Sequence, residues 1–140
     1  MKKTIKSSVS ILLAFMFVVC LTLASCGAQV EKEGLWENAT YLKDTELGKG
    51  AKTAVVEVKA GEQSVTFTVH TDEEMLGAAL TQHNLIEGKD GLYTKVNGMV
   101  ADYGVDQSYW AFYVDGEMAM VGMDDSPITE GAVYSLVYTK

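Results

Sequence analysis

From Thr53 to Val69 the chain alternates. Ala54, Val56 and Val58 are interleaved with Val55, Glu57 and Lys59. After the turn Ala60-Gly61-Glu62-Gln63, Val65, Phe67 and Val69 are interleaved with Ser64, Thr66 and Thr68. Successive strand side chains point to opposite faces, so this period of two predicts a β-hairpin, its second strand with one apolar and one hydroxyl face.

The period then changes. Thr71-Asp72-Glu73-Glu74 has the form of a capping box, a Thr N-cap with a Glu three residues on. Met75, Leu76, Ala79, Leu80 and His83 recur at helical spacing and predict an amphipathic helix over 72–84. Beyond it, turn signals cut the chain into short strands. Val96-Asn97-Gly98-Met99 and Val114-Asp115-Gly116-Glu117 suit two-residue type I′ hairpins. Asp124-Asp125-Ser126-Pro127 reads as a turn and Ala132 to Thr139 as a closing strand. Hairpin, helix, then hairpins: the order predicts an α+β domain over 53–140, with one helix packed across a mixed sheet.

The start of the chain has another character. Met1-Lys2-Lys3 and Lys6 precede an apolar run from Ile11 to Leu23, too short to span a bilayer comfortably. Leu23-Ala24-Ser25-Cys26 resembles a bacterial lipobox. That resemblance implies a signal peptide over 1–25, lipid attachment at Cys26, and export to the outer face of the bacterial cell membrane, with two or more acyl chains as anchor. Residues 26–52 then form a tether. Leu35, Trp36, Tyr41, Leu42 and Leu47 are too apolar for a free spacer, so part of it is expected to dock, as an edge strand near Trp36–Leu42.

Charge and cysteine count narrow the chemistry. All eleven basic residues are lysine; without residues 1–25 the chain keeps 8 of them against 19 acids. Such a surface argues against nucleic acid as a partner. Cys20 and Cys26 are the only cysteines, so the domain beyond residue 26 has no disulfide and no thiol nucleophile. His70 and His83, with Asp72 or Glu74, are a candidate nitrogen–oxygen metal site, against the plainer reading of a strand-end residue and a half-buried packing residue. Asp102 and Asp106 bracket a Tyr-Gly-Val loop but lack the spacing of a calcium loop. None of Ser64, Ser108, Ser126 or Ser135 sits in a Gly-x-Ser-x-Gly setting. The chain is expected to have no enzymatic activity and no resident cofactor.

One stretch stands apart. Gln107-Ser108-Tyr109-Trp110-Ala111-Phe112-Tyr113-Val114-Asp115-Gly116 puts four aromatic residues into five positions. As a strand it shows Trp110, Phe112 and Val114 on one face and Tyr109, Ala111 and Tyr113 on the other. An Asp-Gly turn adds Met118 and Met120 to the Tyr side. The strand is either central and covered on both sides or a ligand platform.

Tyr109–Gly116, then Val121-Gly122-Met123-Asp124-Asp125, Ile128-Thr129-Glu130-Gly131 and the closing Tyr134–Tyr138 strand resemble the transcobalamin C-terminal-like domain family, over about Thr53 to Thr139. The family is largely bacterial, common in surface lipoproteins, and related to the small C-terminal domain of transcobalamin and intrinsic factor. The resemblance implies a β-grasp-like fold and a small-molecule ligand of corrinoid or cobalamin type, captured for an uptake transporter. It implies ligand contacts at Trp110, Ala111 and Phe112, flanked by Tyr109 and Tyr113, with Phe112 standing where the family has leucine. The carriers hold cobalamin between this domain and a large helical barrel; this chain offers one side of such a sandwich.

Overall fold

The computed structural model describes residues 29–140, so the signal segment and Cys26 lie outside the described residues. Strands β1 (Thr45–Gly48), β2 (Lys52–Ala60) and β3 (Gln63–Thr71) come first, followed by helix α1 (Leu76–Gln82). Strands β4 (Ile86–Lys89), β5 (Leu92–Val96) and β6 (Met99–Val100) lead to a short helix α2 (Tyr103–Asp106). Strands β7 (Tyr109–Val114), β8 (Glu117–Met118) and β9 (Val133–Thr139) complete the chain.

The alternating segment forms the antiparallel β2–β3 hairpin, closing at Ala60↔Gln63 around Gly61-Glu62. It seeds a mixed six-stranded sheet of order β1-β3-β2-β9-β7-β8. Parallel pairing of β2 with β9 sets Val56 beside Tyr134 and Val58 beside Leu136. Antiparallel pairing then sets Phe112 beside Leu136 and Val114 beside Tyr134. One face of the sheet is therefore apolar across its central strands, and Ala54, Val56, Val58, Val65, Phe67, Val69, Tyr134 and Leu136 are buried there. Leu76 and Leu80 of α1 and Val96 and Met99 of the second sheet join them in one core. The other face carries the hydroxyl-rich set, with Thr66, Glu57, Ser135 and Tyr113 in one cross-strand row.

Three expectations are corrected. Only the last of the later hairpins, β7–β8, joins the mixed sheet: β4, β5 and β6 form their own three-stranded antiparallel sheet. Its first turn, Asp90-Gly91, is a type I′ turn like Asn97-Gly98 and Asp115-Gly116, all six residues having positive φ. The helix spans Leu76–Gln82 rather than 72–84, and Thr71 is not its N-cap. Thr71 shares the inward parity of Val65, Phe67 and Val69 and pairs with Lys52, which keeps it in β3. Its hydroxyl accepts from Glu73 N at 3.0 Å. The helix starts where residues 74–76 exchange main-chain hydrogen bonds with the later loop, Leu76 N donating to Ser126 O and Ile128 N to Glu74 O, each at 2.9 Å.

The third correction concerns residues 34–42. Gly34–Asn38 is a 3-10 turn, not an edge strand, because Trp36 plugs into the core and donates its Nε1–H to Ala60 O at 3.0 Å. The edge strand is β1, lying parallel to β3. Gln63 straps the preceding segment, accepting from Glu31 N at 2.7 Å and donating to Glu31 O at 3.3 Å.

Candidate functional site: a cleft beside the aromatic strand

β7 is paired with β9 along its whole length, from Tyr109↔Thr139 to Val114↔Tyr134. On its other side β8 pairs only with Tyr113 and Val114, and one further bond runs from Ala119 N to Phe112 O at 3.0 Å. The first half of β7 therefore keeps an open edge, the part of a sheet most able to accept a partner. Residue parity turns Trp110 and Phe112 inward. Trp110 packs edge-on against Tyr138, ring centroids 5.6 Å apart, and Phe112 stacks on Tyr134 at 6.3 Å.

Beside this edge lies a cleft of about 270 Å³. Tyr109, Trp110, Ala111 and Phe112 form one wall, Leu92 and Tyr93 of β5 a second, and Met118, Val121 and Met123 a third. Its rim is unusually apolar for a surface: Leu92 is 70% exposed, Met118 66%, Val121 49% and Tyr109 45%. Contiguous exposed apolar side chains around a concavity mark a binding surface. In the wall, the Trp110 indole N–H is buried with no acceptor, which costs about 1–3 kcal/mol by comparison with a satisfied donor.

The third wall is pinned by a polar contact. The Tyr93 hydroxyl donates to Asp124 Oδ1. Burial and then this hydrogen bond raise the Tyr93 phenol above its ordinary value of 10.0. Gly77 makes room for the arrangement, since a Cβ there would lie 2.2 Å from Asp124 Oδ1.

The entry to β7 is fixed by a second polar knot. Asp106 Oδ1 accepts from Ser108 N at 3.1 Å and from Ser108 Oγ at 2.5 Å. Ser108 Oγ accepts in turn from Asp102 N at 3.0 Å. Hydrogen bonding from Ser108, with Lys140 Nζ 3.3 Å from Oδ2, lowers the Asp106 carboxyl below its ordinary 3.8. The two aspartates that bracket this loop in the sequence thus position the strand.

Of the five sequence-predicted contact residues, Tyr109, Trp110, Ala111 and Phe112 come together at the cleft. Tyr113 faces the opposite side of the sheet, in the row with Ser135. Leu92, Tyr93, Val121 and Met123 were not foreseen; the Asp90-Gly91 turn was the available signal that a hairpin stands there. The candidate metal group does not assemble. His70 contacts Glu46 at 2.5 Å and Thr53 at 3.2 Å, Glu74 pairs with Lys52 at 2.6 Å, and Asp72 accepts from Ala51 N at 3.0 Å. His83 packs beside Gly48. Among the described residues, no three His, Cys, Asp or Glu side chains converge as metal ligands.

Comparison with known proteins adds likenesses to part of the chain. Residues 72–134 match DUF4430, a domain of unknown function. No curated protein matches. The crystal structure of a proposed metal-binding protein from Ruminococcus gnavus is similar at 27% identity and a TM-score of 0.60, over 64% of this chain and 98% of that one. Haptocorrin in complex with Cbi is similar at 14% identity and a TM-score of 0.51, over 67% of this chain and 26% of that one. The second likeness is one of fold.

Proposed function

We propose that the chain is an exported, lipid-anchored and non-catalytic binding protein, whose cleft beside β7 captures a small ligand of corrinoid type for an uptake transporter. The observation that carries this reading is the open first half of β7, where Trp110 and Phe112 stand in the wall of a cleft rimmed by exposed apolar side chains. An open strand edge offers main-chain N–H and C=O groups to amide-bearing ligands, and the aromatic wall offers apolar area. At about 270 Å³ the cleft is smaller than a typical complete ligand pocket. It takes one side of a large ring ligand and leaves the rest facing outward.

The fold reading that accompanies this is β-grasp-like: in the strand order β3-β2-β9-β7-β8, β2 and β9, the first and last of the five along the chain, lie parallel and side by side within the sheet. The likeness to haptocorrin in complex with Cbi supports the ligand class, and the Leu23–Cys26 sequence supports the anchor. The likeness to a proposed metal-binding protein supports a metal as a second ligand class. His70, His83, Asp72 and Glu74 are poorly placed to hold it, being dispersed.

Equilibrium dialysis of the full-length chain in detergent against cobalamins and cobinamide tests the proposal. Saturable retention is expected, weakened at least about tenfold, ~1.4 kcal/mol, by Tyr109→Ala combined with Leu92→Ser. Both side chains are exposed, so the fold survives their loss. Absence of retention, or equal retention by the variant, removes the corrinoid reading.

A further inference from the structure

Residues 30 and 31 join the domain at one end of the six-stranded sheet. Val30 is buried and donates its N–H to Leu42 O at 2.8 Å, and Glu31 is strapped to Gln63, the first residue of β3. Strand register shows what else stands at this end. β2 ends there, with Ala60 opposite Gln63. β9 runs parallel to β2 and so ends there too, and β7, antiparallel to β9, begins there with Tyr109 opposite Thr139. Gln63 and the start of β7 are three strand spacings apart, about 14 Å. Helix α2 caps the same end, since Lys140 Nζ lies 3.3 Å from Asp106 Oδ2 and the Tyr138 hydroxyl donates to that oxygen at 3.5 Å.

We propose that this end of the sheet rests on the phospholipid bilayer, with Tyr103 and Val105 of α2 seated in the lipid interface. The proposal rests on the lipid anchor at Cys26 argued above, and chain length is its first argument. Cys26 is three residues from Gln29, a span of at most about 11 Å. A domain held at Val30 on so short a lead stays against its anchor, and the end at which the lead enters is the end that faces lipid.

The surface at that end is the second argument. Tyr103 is 67% exposed and Val105 81%, with Val100 and Tyr109 exposed on either side of them in the chain. Apolar side chains grouped at one exposed tip suit a membrane interface, where a Tyr ring is buried and its hydroxyl stays wet. The flanking carboxylates are tied back: Asp102 Oδ1 accepts from Gly104 N at 3.0 Å, and Asp106 is held by Ser108 and Lys140. The tip is thus fixed before it meets lipid, and little ordering remains to oppose its insertion. The opposite end of the sheet is unsuited to lipid, because Asp72, Glu73, Glu74, Asp115 and Glu117 are grouped around the end of β3 and the β7–β8 turn. In this orientation the cleft beside the first half of β7 opens close to the bilayer, at the level of a membrane-embedded transporter.

The test uses the full-length chain expressed in bacteria, purified from the membrane fraction and returned to phosphatidylcholine vesicles whose lipids carry a nitroxide quencher. Its mass reads acylation of Cys26. A fluorophore is attached to a single introduced thiol, Val100→Cys beside the tip or Glu117→Cys at the far end; both positions are exposed. Quenching at position 100 is expected to be several-fold stronger than at 117. Adding Tyr103→Ser and Val105→Ser is expected to lower it toward the level at 117 and to leave the melting curve unchanged, because both side chains are exposed. An acylated chain with equal quenching at the two positions, or with quenching at 100 that survives both serines, would overturn the proposal and leave the anchor standing. An unmodified Cys26 would overturn the anchor, and this orientation with it.

Discussion

Trp110 of β7 meets Tyr138 of β9 edge to face, at 5.6 Å between ring centroids and 73° between planes. This contact fixes the indole in the wall of the cleft, while its N–H is left without an acceptor. A buried donor without a partner is uncommon. Here it belongs to an aromatic side chain that is part of the core and of the cleft wall at once.

The two tryptophans should therefore respond differently to removal of their N–H. Trp36 donates to Ala60 O at 3.0 Å, whereas Trp110 donates to nothing. Trp36→Phe forfeits a hydrogen bond and should cost about 1 kcal/mol more than Trp110→Phe. Trp110→Ala empties core volume and should cost ~3–5 kcal/mol. Urea unfolding of the three variants checks the order, and equal losses for the two Phe variants would contradict it.

A turn residue also does long-range work. Asn97 is fully buried with φ +49°, and its side chain accepts from Tyr41 N and donates to Tyr41 O, each at 2.9 Å. That pair ties residues 38–42 to the second sheet and sets Tyr41 edge-on against Phe67 at 5.5 Å. Asn97→Gly keeps the left-handed backbone and isolates the side-chain bonds, an expected loss of about 1–3 kcal/mol. Asn97→Ala should lose about 1 kcal/mol more for the positive φ. Thermal or urea denaturation of the pair separates the two contributions.

Local pattern carried the first hairpin well, because period two over Val65, Phe67 and Val69 leaves a single way to bury that face. It carried the parity of β7 as well: Trp110 and Phe112 do share one face. Which face is covered was not legible locally. That depends on β9 pairing with β2 on one side and β7 on the other, which puts Val114 and Val56 on either side of Tyr134. Thr71 misled for a related reason. Its hydroxyl and the Glu three residues on satisfy a capping pattern, but pairing with Lys52 holds it in the strand. Asp90-Gly91 carries the same turn chemistry as Asn97-Gly98, but nothing local to it says that Leu92 and Tyr93 beyond the turn form a cleft wall against β7.

The knot at the entry to β7 predicts an acid sensitivity. The Asp106 carboxyl is lowered below 3.8, first by the Ser108 hydroxyl and further by Lys140. A carboxylate with a depressed folded value contributes stability that is complete above its unfolded value and is lost as pH falls through the folded one. The contribution should thus be present above about pH 4 and disappear below it. Asp106→Asn removes the titrating group, so the difference in melting temperature between variant and parent should shrink as pH falls below that point. A difference independent of pH would exclude Asp106 as the source.

Tyr93 and Asp124 make the opposite prediction at high pH. Burial and then the bond to Asp124 hold the phenol above 10.0, so the folded chain keeps this proton when the unfolded chain has lost it. The stabilisation is complete below about pH 10 and fades as pH rises through the folded value. Tyr93→Phe removes that dependence and frees the Asp124 loop from β5. Gly77→Ala attacks the same contact from the helix, because its Cβ would fall 2.2 Å from Asp124 Oδ1. The alanine variant should therefore bring the Tyr93 ionisation back toward the ordinary phenol value, despite the higher helix propensity of alanine. Ultraviolet titration of the phenols in parent and Gly77→Ala chains reads this directly. An unchanged high-pH phenol in the variant would mean that Asp124 is not what holds the Tyr93 proton.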